Sequence, residues 1–104
     1  MAAPTRGSST SETQLHIQWV HLTTHVETGG AIVTSYHLEW DAGNGQTAWS
    51  DLVGYTSDYT SSEFIATTGV APAGEYALRV RAYNAHGWGA YSEVTVIVAS
   101  AAPD

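Results

Sequence analysis

The feature that most narrows what this chain can fold into is a hydrophobic period of two residues. Leu15, Ile17 and Trp19 alternate with His16, Gln18 and Val20, and Tyr76, Leu78, Val80 and Ala82 alternate with Ala77, Arg79, Arg81 and Tyr83. Successive side chains of an extended chain point to opposite faces, so this spacing puts apolar groups on one side and polar groups on the other. It predicts strands with one face buried and one wet. Ile32, Tyr36, Leu38 and Trp40 make a further set, with His37 and Glu39 interleaved, and Val94, Val96 and Val98 close the series. Weaker runs near Thr47–Leu52 and Ser62–Thr67 add two strands. No window of about 11 residues follows the helical spacing.

The residues between these runs are turn formers. Gly29-Gly30 separates the first set from the next, Gly69 and Pro72-Ala73-Gly74 mark a corner, and Gly87 and Gly89 mark another. Asn44-Gly45 predicts a two-residue type I′ hairpin, which needs positive φ at both central positions. Six or seven short strands at this spacing predict a β-sandwich. Whether the chain can fill such a core is a question of composition. Leu, Ile, Val and Phe supply only 19 of 104 residues, a fraction near that of disordered chains when the net charge is high. Four Trp and six Tyr make up the difference, because aromatic rings carry the largest buried area per side chain.

From Val70 to Ser92 the residues become more specific. The run Val70-x-Pro72-x-x-x-Tyr76-x-Leu78-x-Val80-x-Ala82-x-Asn84-x-x-Gly87-x-Gly89-x-Tyr91-Ser92 closely resembles the second half of a fibronectin type III domain. Trp19 stands where that family keeps a core tryptophan, Gly29-Gly30-Ala31-Ile32 with Tyr36, Leu38 and Trp40 looks like its third strand, and Trp49 falls near its place on the fourth. The resemblance spans about Gln14 to Val98. It implies an all-β, immunoglobulin-like sandwich of seven antiparallel strands in two sheets, with the domain at 13–99. Residues 1–12 are expected to be a linker holding at most a short first strand, and 100–104 a second linker. The implied core contains Trp19, Tyr36, Leu38, Trp40, Val70, Tyr76, Leu78 and Val80. Tyr76 resembles the corner tyrosine whose hydroxyl reaches backbone near Gly69–Pro72. Two departures stand out: Thr5 to Thr13 brings no apolar side chain for a first strand, and Ala73 follows Pro72 where the family more often has glycine.

Charge and motifs narrow the function. With 3 Arg, no Lys and 10 Asp plus Glu, the formal charge is −7. That argues against nucleic acid and against anionic membranes, both of which reward cationic side chains. Cysteine is absent, which excludes disulfides, thiolate nucleophiles and thiolate-bound zinc. Gly43-x-Gly45-x-x-Ala48 matches a dinucleotide fingerprint as a bare pattern, but the pattern needs a helix to begin there and Thr47-Ala48-Trp49 continues as strand. His21 and His25 are four apart, a spacing useful for a metal only on a helix. His16 and His37 fall on outward faces of different sheets, where solvated imidazoles are expected. The acidic residues are scattered without a calcium-loop pattern, and no serine sits in a nucleophile elbow. The sequence therefore predicts no catalytic residue, no cofactor and no metal.

Surface aromatics remain. Asn84-Ala85-His86-Gly87-Trp88-Gly89 sets His86 and Trp88 between glycines, in a loop that binding modules of the resembled family use. Exposed tryptophans are enriched at binding hot spots. Trp88 serves either as a ligand contact or as a cap folded back on the sandwich end. Tyr55 and Tyr59 either extend that patch or cover the edge between the sheets. Arg79 and Arg81 share an outward face with Tyr83, where pairing with Glu39 or Asp41 is expected. The resemblance implies a non-catalytic spacer and protein–protein interaction unit of a larger, cell-surface or secreted, multidomain protein, monomeric when isolated, with neighbouring domains of the same chain as partners. The alternatives are a dedicated adhesion, receptor or carbohydrate-binding module with a protein or glycan ligand, and an intracellular, filament-associated host.

Overall fold

A computed structural model describes residues 2–22 and 30–100. His25 and Gly29, singled out above, lie outside them. Eight strands run in the order β1 (Thr5–Arg6), β2 (Leu15–Gln18), β3 (Ser35–Trp40), β4 (Ser50–Val53), β5 (Glu63–Ala66), β6 (Glu75–Asn84), β7 (Gly87–Trp88) and β8 (Thr95–Val98). They form two antiparallel sheets, β1-β2-β5 and β4-β3-β6-β7, with β8 also on β6. Since β3 occupies one edge of β6, β7 and β8 share the other. They are two pieces of one edge strand, which accounts for eight segments where seven were expected. The interruption is bridged by Ser92, whose N–H donates to the Val80 carbonyl while its Oγ accepts from the Val80 N–H.

The core lies between the sheets. Leu15, Ile17 and Trp19 from the β2 side meet Tyr36, Leu38 and Trp40 of β3, Tyr76, Leu78 and Val80 of β6, and Ile97 and Ala99 at the end of the chain. Val70 packs against this cluster from its rim. Trp40 and Tyr76 stack at 5.1 Å, and Trp19 lies 6.0 Å from Tyr36. The Tyr76 hydroxyl accepts from the Ala71 N–H at 2.7 Å and donates to the Gly69 carbonyl at 3.3 Å, closing the corner.

Four expectations are corrected. In β8 the inward residue is Ile97, opposite Tyr76; Val94 and Val96 face solvent and Ala99 continues the buried face. The valine run thus lies one position out of phase, and a one-residue slip exchanges the two faces of a strand. Ile32 lies before β3 and is 86% exposed. The Asn44-Gly45 segment is not a two-residue hairpin. Asp41 to Trp49 form a longer loop with positive φ at Ala42, Gly43, Gly45 and Gln46. Asp41, which pairs with no arginine, organises it by accepting from the backbone N–H groups of Gly43, Gln46 and Ala77 at 2.8, 3.0 and 3.0 Å.

The fourth correction concerns the histidines. His16 and His37 do point outward on different sheets, but both are buried. Residues before β2 fold across His16: the Gly7 N–H donates to its carbonyl, the Ser9 N–H to its Nδ1, and a Cβ at Gly7 would lie 2.1 Å from that nitrogen. Its Nε2 meets Glu63 Oε1 at 2.6 Å. Pro4 is buried in the same segment, and its carbonyl accepts from Thr95 Oγ1 at 2.6 Å.

The register also fixes where the chain enters and leaves. Thr5 pairs with Gln18, and β2 then runs on to Leu22, whose N–H donates to the Tyr36 hydroxyl beside the first residues of β3. The chain therefore enters from the side of that pole, with β1 lying along β8, where Thr95 Oγ1 donates to the Pro4 carbonyl and Arg6 Nη2 to the Ser100 carbonyl at 2.7 Å. It leaves past Val98, paired with Glu75 at the start of β6, at the other pole.

Candidate functional site

The outward face of the larger sheet is where polar chemistry concentrates. Alternation on β3 and β6 sends His37 and Glu39 out beside Arg81 and Arg79, and the register sets them directly opposite one another. Strand β4 adds Asp51 opposite Glu39. An outward face would ordinarily be wet, yet all six residues of β3 are buried. Aromatic side chains from the flanking segments cover it.

Those rings and the two arginines interleave. The Arg79 guanidinium lies 4.2 Å from the Trp49 ring and 4.0 Å from the Tyr91 ring; that of Arg81 lies 4.5 Å from Tyr91 and 4.4 Å from Trp88. The stack reads Trp49, Arg79, Tyr91, Arg81, Trp88, with each cation over the negative face of an aromatic ring. Arg79 also grips Glu39 Oε1 through Nε at 2.7 Å and Nη2 at 2.5 Å. Tyr55 closes the row, its ring 6.2 Å from Trp88 and 5.1 Å from His37.

His37 sits beneath. Its Nδ1 accepts from Arg81 Nε at 3.1 Å, with the Tyr91 hydroxyl 3.3 Å away, so the ring proton belongs on Nε2. Nε2 lies 3.0 Å from Asp51 Oδ1 and 3.7 Å from Glu39 Oε2, close enough for attraction, but its N–H is aligned with no acceptor. Burial holds the imidazole below its ordinary 6.5; the Arg81 charge adds to this, and the Glu39 and Asp51 carboxylates oppose it. Burial and the Glu39 carboxylate push the Tyr91 hydroxyl above its ordinary 10.0. Nδ1 is thus committed to an arginine and a tyrosine, while Nε2 faces two carboxylates. Among the described residues no group of three His, Asp or Glu side chains is arranged to hold a metal ion.

The four expected ligand contacts do not form one patch. Trp88 belongs to β7 and is half-buried, held between Arg81 and Tyr83. His86 is exposed at the turn between β6 and β7. Tyr55 adjoins Trp88 and is 57% exposed. Tyr59 lies apart, over Trp19 and Phe64, with its hydroxyl donating to the Glu63 carbonyl and its carbonyl accepting from the Tyr36 N–H. His37, Asp51 and Tyr91 were not foreseen as site residues. The signal that could have found them is opposite charge at matching outward positions of neighbouring strands, 37 and 39 against 79 and 81.

The sequence profile of the fibronectin type III domain matches residues 2–98. The chain belongs to the fibronectin type III family. The search of curated proteins found no match. Among solved structures, the sixth fibronectin type III domain of human fibronectin type III domain containing protein 3 is similar at 28% identity and a TM-score of 0.68, over 99% of this chain and 86% of that one. Domains A168–A170 of titin match at 22% identity and 0.69, over 95% of this chain and 32% of that one. The FN1–FN3 domains of chicken contactin match at 19% and 0.63, over 86% and 28%. Fibronectin type III domains are generally non-catalytic modules of multidomain chains, and they occur both outside cells, as in contactin, and inside them, as in titin.

Proposed function

We propose that this fibronectin type III domain is a structural spacer and protein–protein interaction unit of a larger, cell-surface or secreted protein. The observation that carries the spacer role is that the chain enters from the side where β3 begins and leaves on the side where β6 begins, in a body 41 Å long and 25 by 21 Å across. A chain of such domains extends along its long axis, and the sheets transmit load from one linker to the next. Cross-sheet packing of Trp19, Tyr36, Trp40 and Tyr76 keeps that distance fixed. An acidic surface without lysine and the resemblance to contactin support the extracellular setting; titin represents the intracellular alternative. The test is small-angle scattering from two copies joined in tandem by their own terminal segments. The expected maximum dimension is about twice the long axis of one domain. Two copies lying side by side, with little more than a single domain's length, overturn the spacer reading.

A second reading has a specific observation in its favour. Tyr55 is exposed beside Trp88 and the His86 turn, in a row of aromatic groups. That arrangement supports a dedicated adhesion or carbohydrate-binding module, since rings that present a face to solvent beside polar groups form recognition surfaces.

A further inference from the structure

Two hollows flank Tyr55. One, of about 300 Å³, is lined by His37, Glu39, Asp51, Tyr55, Arg81 and Tyr91. The other, of about 380 Å³, lies between Tyr55, Asp58, Tyr83 and Trp88. The first has an unusual floor. His37 is 3% exposed and lines the hollow, yet its Nε2–H, with Asp51 Oδ1 3.0 Å away, is aligned with no acceptor. A buried donor left unmade is expensive and calls for an explanation. Beside it, the Asp51 side chain is 38% exposed. Glu39 spends Oε1 on Arg79 and turns Oε2 toward the same ring.

The kind of ligand follows from what each class would meet. An ammonium would face the His37 N–H and the Arg81 guanidinium, both donors. An inorganic anion would face two carboxylates. A hydroxyl can accept from Nε2–H and donate to Asp51 at once. Several hydroxyls around a ring with an apolar C–H face would also use the exposed ring of Tyr55, and about 300 Å³ is within the range of small-ligand sites. We propose that this hollow binds a neutral saccharide ring, stacked on Tyr55 and hydrogen-bonded at its hydroxyls by His37 Nε2–H and the Asp51 carboxylate. The proposal rests on the binding-module reading and moves the site from the His86 turn to the face of the sheet.

The test is a titration of the ¹⁵N-labelled chain, followed by NMR, with the methyl glycosides of glucose, mannose, galactose and N-acetylglucosamine. Expected are saturable shifts at His37 and at Asp51 to Tyr55, with dissociation constants on the order of millimolar. Tyr55→Ala and Asp51→Asn weaken binding about tenfold or more, and His86→Ala leaves it unchanged, with melting midpoints measured for each. If Asp51→Asn proves unstable, Tyr55→Ala decides, and undiminished binding by that variant overturns the proposal. Shifts centred on 84–88 and abolished by His86→Ala also overturn it while leaving the binding-module reading intact. So does a stronger response at the same residues to butylammonium or to phosphate. Silence to every glycoside overturns both the saccharide site and the glycan form of that reading, and leaves the spacer to stand on its scattering test.

Discussion

Tyr76 and Asp41 show how one polar atom in the right place organises a stretch of backbone. The Tyr76 hydroxyl joins the Gly69 carbonyl to the Ala71 N–H, so Tyr76→Phe leaves the ring packed on Trp40 while both backbone groups lose this partner. The expected loss is about 1–3 kcal/mol, read from chemical denaturation midpoints; unchanged midpoints would remove the corner from the account of stability. Glu39 or Asp41 was expected to partner an arginine; Glu39 does so, and Asp41 is a buried acceptor for three N–H groups. Of these, only that of Ala77 lies in a buried setting; the two in the loop can be met by water once the carboxylate is gone. Asp41→Ala is therefore expected to lose about 2–4 kcal/mol, and protection of the Ala77 amide against hydrogen exchange should fall with it. Gly54 sets a steric limit of another kind. Its φ is +93°, and a Cβ there would lie 1.8 Å from the Tyr36 carbonyl oxygen, so any side chain must displace β3.

At the scale of the element, β3 is the strand whose environment the alternation misjudged. Its inward residues Tyr36, Leu38 and Trp40 were legible from period two alone. Its outward residues read as solvated, because the rings that cover them come from Trp49, Tyr55, Trp88 and Tyr91, on other segments brought together only by the fold. The cover has a consequence for pH. With His37 held below its ordinary 6.5 by burial, the ring is neutral in both folded and unfolded chain well above that value. As the pH drops through 6.5 the unfolded chain takes up a proton that the folded chain refuses. Stability then falls with falling pH until the folded-state value is reached. His37→Gln should flatten that slope in a series of denaturation curves between pH 7 and pH 5, and an identical slope in the variant would assign it to other groups. Strand β8 taught a second lesson. Four apolar residues in a row, Val96 to Ala99, carry no phase of their own, and the pairing of Tyr76 with Ile97 is what chooses which of them turn inward.

For the whole molecule, the sandwich and its family were written into the chain. Strands with one apolar face must stack on a second sheet, and the Pro72–Tyr76 corner with its spaced Val80, Ala82, Gly87 and Tyr91 identifies which sandwich. That information is local, carried by residues two to ten apart, and so survives in a one-dimensional reading. The assembly of the outer face is not local. Arg79 and Arg81 pair with β3 residues about forty positions away, and Trp49, Tyr55 and Tyr91 reach them from three different connections. The sequence by itself determined a β-sandwich of the fibronectin type III family, its corner and most of its core, because hydrophobic period and turn chemistry act between near neighbours. Only the tertiary structure decided that His16 and His37 are buried, that β8 presents Ile97, and that a polar hollow opens beneath Tyr55, because burial depends on which distant segment comes to lie on top.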